Sequence, residues 1–467
     1  MLLTALAATL AIVVQDRTSL HAAPHAGTEL TALWQGDVLE VRGERAGYLK
    51  VYDYRRERAG YIKSEAVRAV GLTEADAPGL LAVLRFLRDS PGSEALGISY
   101  GAAYLRAVPS RALSAEPFDA IAGMAERLAD VASGSGRHTS QAAAHLEVVE
   151  QFGVHVKSFE RNGRMQVCYD GELYRRVLAL ANASREQRAR ATLGLTRPDC
   201  IDPNLGPVLR ASLDDERREL LEAIDPRPLN ALLQSRLHAR RATVWASIAY
   251  EQARRREPAS AAAERALGEL LAVRAADLGE DRRADYLDAV VRVAAIRWAL
   301  AAPVTEAGPL LLTATPGDPG QTCISLQDAH ARVATPLVRR CTYGVVWLAS
   351  AQAVSQGRGL VLAVQPLEAW RELWVFHVSA GSWRIDVLPP GVDDPEEGYV
   401  EFAGFAPVSG RLLTVREVKE RGHFQRRFEE LRLDDLVLVK QAAAAELLPD
   451  FGRWQDVAWR RDTLALR

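Results

Sequence analysis

The spacing of apolar positions changes twice along the chain, and each change predicts a different kind of structure. From residue 11 to 72 the apolar positions fall in short runs. Ala11 to Val14 is continuous, while Leu30, Leu33, Val38, Leu39 and Val41 flank the turn dipeptide Gly36-Asp37. Leu49 and Val51 straddle Lys50, and Tyr61-Ile62 follows Gly60. Short runs bounded by turn residues predict strands.

From 73 to about 303 the period becomes helical. Thr73-Glu74-Ala75-Asp76 is a start signal before Leu80, Leu81, Leu84 and Leu87, which share one helical face. Ser90-Pro91-Gly92 stops that helix. Further helices are predicted over 119–131, 140–152, 172–181, 185–195 and 227–256. The last of the region starts at Asp281 and places Leu287, Val290, Val291, Ala294 and Trp298 on one face. Strict alternation returns at 154–168, around Asn162-Gly163, and predicts a β-hairpin. No repeat of about 34 residues holds, so a helical bundle or an irregular solenoid is expected.

Beyond 308, strand-length apolar runs separated by Gly and Pro predict a β-rich end. The runs at 345–388 and 399–439 share a grammar: a short strand, a Gly-containing turn, a hydrophobic strand, a long strand and a closing strand. This resembles the blades of a β-propeller. The segment has room for about three blades, fewer than a closed propeller typically holds, so a propeller-like meander is expected. The final residues carry Trp454, Trp459 and Leu464 and are expected to return over an open strand edge.

The stretch from Thr18 to Val67 resembles a bacterial SH3-like domain. Thr18-Ser19-Leu20 through Pro24 is similar to the family's opening segment, Leu33 to Val41 to its L-x-x-G-x-x-x-x-V hairpin, and Gly60-Tyr61-Ile62 to its Gly-Trp-Val. Tyr48 and Tyr61 stand where the family usually has Trp, keeping the ring and adding a hydroxyl. The resemblance implies a small β-barrel in a cell-envelope protein, binding cell-wall peptides or protein ligands. Trp34, Tyr52, Tyr54 and Arg56 are the candidate ligand-binding residues, because surfaces of aromatic rings and arginines are common binding anchors. The alternative is that Tyr48 and Tyr61 are core and that Arg55, Arg56 and Arg58 belong to a solvated loop.

The expected fold is therefore multidomain α+β. Residues 1–10 form a signal-peptide remnant, 11–72 an SH3-like β-barrel, 73–303 an α-helical domain with its hairpin, and 308–467 the propeller-like domain. The length of 467 residues suits about three domains.

Composition narrows the function. A net charge of −2 excludes the strongly basic face of a usual nucleic-acid binder. Arginine far outnumbers lysine, which reads as coding bias rather than function. The apolar start, with Ala5-Leu6-Ala7 as a cleavage-like site, resembles the apolar part of a secretory signal but lacks its positive segment. No later stretch is apolar enough to span a membrane. Four cysteines fall into two local pairs, Cys168 with Cys200 and Cys323 with Cys341. Such pairing suits an oxidising compartment, and each bridge would stabilise by roughly 3–4 kcal/mol. A periplasmic or secreted location follows.

Catalytic motifs are missing. No Walker A, GxSxG or properly placed GxGxxG occurs. His21 with His25 and His138 with His145 lack the acidic partner of an HExxH site. Cys200, with His238 the next histidine, is the nearest candidate nucleophile, and a disulfide is the stronger reading. Asp393 to Glu397 offers oxygen ligands for calcium, though such turns are usually solvated connections. The arginine runs within 236–241 and at 254–256 read as exposed helix faces. No catalytic residue, metal or cofactor is assigned. The expected function is a non-catalytic envelope binding or scaffold protein, with peptidoglycan or an envelope protein as partner. The alternatives are a cell-wall hydrolase with an unrecognised site in the helical domain and, more weakly, a cytoplasmic sensor.

Overall fold

Ala11, Ile12 and Val13 are all fully buried in strand β1 (Thr9–Val13), although successive side chains on a strand point to opposite faces. Both faces of β1 are therefore covered, which accounts for its unbroken apolar run. The computed structural model describes residues 9–460 apart from 26, 162, 305, 331–334, 392–396, 421, 422 and 458. The cleavage-like Ala5-Leu6-Ala7, Asn162 of the predicted turn, most of the acidic turn 393–397 and Leu464 lie outside those residues. Two compact units divide the chain, 1–205 and 206–467.

In the first unit β1 lies between β4 (Val38–Arg45) and β7 (Val67–Val70), antiparallel to both. With β2 (Thr18–His21), β3 (Glu29–Leu33), β5 (Tyr48–Asp53) and β6 (Arg58–Lys63) they form one sheet, ordered β3-β2-β6-β5-β4-β1-β7. One cluster draws Val13, Leu20, Leu33, Leu39, Val51, Ile62 and Val67 from the seven strands in turn, so the sheet curls around a single interior. Edge strands β3 and β7 do not pair with each other among the described residues, and no closed barrel forms. Ile12 points the other way, into a cluster with Leu80 and Leu87 of α1 (Ala77–Arg88) and Tyr100 of α2 (Glu94–Ala107). Helix α1 starts only at Ala77, because Asp76 Oδ2 accepts from Thr73 N at 2.9 Å and from its hydroxyl, closing a turn first.

Helices α3 (Glu116–Ser133), α4 (Arg137–Glu150), α5 (Glu172–Ala179) and α6 (Arg185–Leu195) complete this unit, with the hairpin β8 (Val156–Arg161) and β9 (Arg164–Tyr169). A Cβ at Gly97 would sit 2.4 Å from Met124 Sδ, and one at Gly101 2.7 Å from Ile121 Cδ1. Glycine at these two positions is what lets α2 approach α3 so closely. Cys168 at the end of β9 is bonded to Cys200, with the Cα atoms 5.7 Å apart.

The second unit opens with α7 (Pro207–Glu222), α8 (Ala231–Arg254), α9 (Ser260–Leu271) and α10 (Glu280–Ile296). Helix α8 is shorter than the predicted 227–256. Asn230 caps it by accepting from Leu233 N at 3.0 Å, after Pro228. Its arginine run is not simply an exposed face. Arg240 and Arg241 are buried, and Arg241 Nη2 donates to the carbonyls of Leu221 and Ile224 at 2.7 and 2.6 Å, satisfying the C-terminal end of α7. Trp298 lies beyond α10 in a 3₁₀ turn. Among the described residues no helix is long and apolar enough to cross a membrane.

The predicted strands of the β-rich end are present, but they close no propeller among the described residues. A four-stranded sheet runs β10 (Glu306–Ala307), β11 (Leu310–Pro316), β12 (Thr322–Asp328) and β13 (Val338–Thr342), and a disulfide joins the facing pair Cys323 and Cys341. Two antiparallel meanders follow. They are β14 (Val345–Val354), β15 (Gly359–Leu367), β16 (Trp370–Ser379) and β17 (Ser382–Leu388), then β18 (Gly398–Ala406), β19 (Arg411–Glu420), β20 (His423–Arg432) and β21 (Leu438–Ala442). They correspond to the two sets with similar grammar. Parallel pairing of Trp370 with Gly398 and Arg371 with Tyr399 merges them into one eight-stranded sheet instead of separate blades. Val345, Trp347 and Ala363 on one face pack on α8–α10, while Leu360, Leu362 and Phe376 on the other pack on the four-stranded sheet. The chain's end returns to an open strand edge, as expected, with Gln455 bridging Gly404 and Asp456 N donating to Ala403 O at 2.7 Å on the stretch of β18 that β16 leaves unpaired, and it also covers a sheet face. Phe451 of α11 (Pro449–Trp454) and Trp459 pack on Ala403, Leu413 and Val415.

Buried charges fasten the helices of this unit to its sheet. Arg371 is fully buried, donating from Nη1 to Ala294 O at 2.5 Å and from Nη2 to Glu401 at 2.6 Å. Arg292 of α10 reaches Asp288 at 2.9 Å, Glu368 at 2.7 Å and Glu397 at 3.3 Å. Glu397 also faces Lys419 at 3.4 Å. Burial and the neighbouring Asp288 charge push the Glu397 carboxyl up to about 7, against the pull of Arg292. In its protonated form it is a hydrogen-bond donor for Asp288. Burial opposes the Asp288 charge, but Arg292 and that donated bond hold its carboxyl below the usual range.

The folded state thus binds the Glu397 proton more tightly than the unfolded chain does. The stability this gives is complete below the ordinary glutamate range and is lost as pH rises through about 7. Asp288 works in the opposite sense, and its contribution is lost only in acid. Glu397→Gln keeps a donor for Asp288 and cannot ionise. Urea melts between pH 5 and 8 should show wild-type stability falling by up to about 3 kcal/mol and the variant's profile nearly flat. Equal slopes would reject the proton-sharing arrangement.

Candidate ligand-binding surface

The outward face of the β4–β5 hairpin carries the half-buried Tyr52, and the exposed Tyr54 follows just past β5. Register places Glu40 opposite Tyr52, and Arg42 lies two residues from Glu40 along β4. The Arg42 guanidinium stacks 4.1 Å from the Tyr52 ring centroid. Tyr52 and Tyr54 meet edge to face at 4.9 Å between centroids. Glu40 ties the group together, accepting from Arg42 Nε at 2.8 Å and Tyr54 Oη at 3.0 Å. Those two bonds, Arg42 first, hold its carboxyl below the usual glutamate range. Tyr54 is 63% exposed. A carboxylate held low is a poor general base at neutral pH. Edge-to-face rings beside a donor and an acceptor suit the binding of a peptide or a sugar.

Arg56 does not face ligand space. Its Nη1 donates to Asp53 at 2.8 Å and to Asp37 at 3.2 Å, and its Nη2 donates to Asp37 at 3.2 Å. Both aspartates are buried. Burial opposes the Arg56 charge, but Asp37 and Asp53 outweigh it and raise its pKa. Asp53 also accepts from the backbone of Arg55 and Arg56, and Asp37 from Trp34 N, so the guanidinium pins two turns together. Arg55 stands 3.7 Å from Asp37, and Arg58 donates to Leu30 O at 3.0 Å.

Trp34 belongs to a different cluster. Its ring lies 6.0 Å from His145 and 5.7 Å from the Arg17 guanidinium. His145 is buried and bonds Asp16 at 2.7 Å. Burial opposes the Asp16 charge, but His145 and the Gln35 amide hold it below its usual range. Tyr48 is buried, with His21 and His25 edge-on to its ring. The structure thus unites Tyr52 and Tyr54, places Trp34 with His145, and gives Arg56 to a buried ion cluster. Arg42 and Glu40 are the members that sequence reasoning missed. The alternation Glu40-Val41-Arg42 opposite Tyr52 was the available signal, legible only once the strand register is known.

The other chemistry-bearing residues are engaged elsewhere. Cys200 is in a disulfide, so it offers no thiolate, and His238 bonds Glu269 at 2.6 Å. No protein-family model, curated protein or solved structure matches the chain.

The two kinds of residue should separate in stability measurements. Arg56→Ala leaves buried Asp53 without its counter-charge and Asp37 with only Arg55 at 3.7 Å, and should cost about 3 kcal/mol. Arg42→Ala and Tyr54→Ala should change stability by no more than about 0.5 kcal/mol. Chemical denaturation of the full chain checks this, and a small cost for Arg56→Ala would contradict the buried role.

Proposed function

We propose that the protein is a non-catalytic binding or scaffold protein of the cell envelope, periplasmic or secreted. Its N-terminal sheet acts as an SH3-like module that engages a cell-wall peptide. The observation that carries the reading is the exposed Tyr54 ring meeting half-buried Tyr52, on which Arg42 stacks. The interior of that sheet is built from other residues, so these rings are available to a ligand. Support for the compartment comes from the pairing of all four cysteines, which suits an oxidising environment. The β-rich end, read here as two propeller-like meanders, would serve as the scaffold for a further contact.

Co-sedimentation of the full chain with purified peptidoglycan tests the proposal. Wild type should be retained, and a Tyr52→Ala/Tyr54→Ala double variant should be retained at least about 5-fold less, on the scale of one lost aromatic anchor. Failure of wild type to sediment, or equal retention of the folded variant, would overturn it.

A further inference from the structure

A groove of about 270 Å³ lies at the C-terminal end of α8 in the second unit. Among the residues lining it are Arg254, Arg256, Thr315, Thr322, Tyr343 and Leu348, and no Asp or Glu lines it among the described residues. The chain reaches it through a Schellman turn. Glu257 N donates to Gln252 O at 2.8 Å and Arg256 N to Ala253 O at 3.0 Å. Glycine is usual at the left-handed position of this turn, where the protein has Arg256 at φ +59. A side chain there costs roughly 1 kcal/mol, and in exchange the turn aims a guanidinium along the groove. Non-glycine residues held in this region cluster at ligand sites.

The charges at the turn are unevenly matched. Arg255 is paired through both Nε and Nη2 with Glu257, each at 3.0 Å. Arg256 has only neutral acceptors, Gln321 O and Thr322 Oγ1, both at 3.2 Å from Nη2. Its Nε and Nη1 donate to no acceptor among the described residues. Arg254 stands 3.9 Å from Glu251, at the limit of an ion pair. Two guanidiniums therefore bring positive charge to a groove with hydroxyls on one part of its wall and the exposed Tyr343 ring and Leu348 on another. Guanidinium forks match carboxylates in geometry.

We propose that this groove binds a small organic carboxylate with a flat or aliphatic body, held at its charged end by Arg254 and Arg256 and packed against Tyr343. The site is independent of the Tyr52–Tyr54 surface.

The test is titration of the full chain with N-acetyl-phenylalanine and with its neutral amide, followed by saturation-transfer NMR. The acid should bind saturably and the amide at least about tenfold more weakly, as loss of one charge-assisted contact implies. Arg254→Gln and Arg256→Gln should each weaken the acid by roughly tenfold. Arg255→Gln, which removes the arginine already paired with Glu257, should leave its affinity unchanged. Arg256→Gln loses bonds to the β12 start and is checked for folding by circular dichroism. If it unfolds, Arg254→Gln and Tyr343→Ala decide. Absence of saturable acid binding, equal binding of the amide, or an equal loss in Arg255→Gln would overturn the proposal.

Discussion

Burying a guanidinium is costly unless most of its five donors find acceptors and its charge finds a partner. That constraint governs the architecture of both units. In the first, Arg56 is enclosed by Asp37 and Asp53, and through them it fixes the turns at either end of the β4–β5 hairpin. In the second, Arg371 and Arg292 join α10 to the eight-stranded sheet, while Arg241 closes the end of α7. Only five of the 58 basic residues are lysines. Whatever set that bias, the fold uses it. A forked, always charged head can satisfy two carbonyls and a carboxylate together, which an ammonium on a flexible stem does less well.

The same constraint separates structural from available charge. Where Arg56, Arg241 and Arg371 are enclosed, their hydrogen bonds go to buried carboxylates or to carbonyls at a helix end. Where it is exposed on Tyr52, its partner is Glu40, itself bound to an exposed tyrosine. The surface of the curled sheet is thus polar and organised without being required for the interior. This is the condition under which a module can change its ligand without losing its fold.

Local pattern was a good guide to elements and a poor one to their joining. The strands of the β-rich end were legible from alternation and turn residues, and α6 was legible over its full span, 185–195. The two cysteine pairs were legible from their placement within local segments. The merging of the two meanders was not, because it rests on two residue pairs between strands separated by a third. The start of α8 was displaced by Asn230, a cap that the apolar spacing alone does not announce. The burial of Arg240 and Arg241 was hidden for another reason. A charged residue is read as exposed unless its partner is known, and for Arg241 the partners are backbone carbonyls of a different helix. Arg56 misled in the same way, since a guanidinium that binds ligand and one that binds buried aspartates look alike in sequence.

Arg371 gathers several contacts in one place. It pairs across the seam between the two meanders, ends α10, meets Glu401 and lies over the Tyr399 ring at 5.2 Å. Glu401 in turn receives Arg297 and the Trp459 indole. Divergence at this point cannot proceed one residue at a time. A change at Arg371 leaves the end of α10 without its donor and Glu401 with one cation fewer, and a change at Glu401 takes the same carboxylate from Arg371 and Arg297 at once. In descendants of this chain the group should therefore be inherited whole or replaced whole, by apolar residues of matching volume.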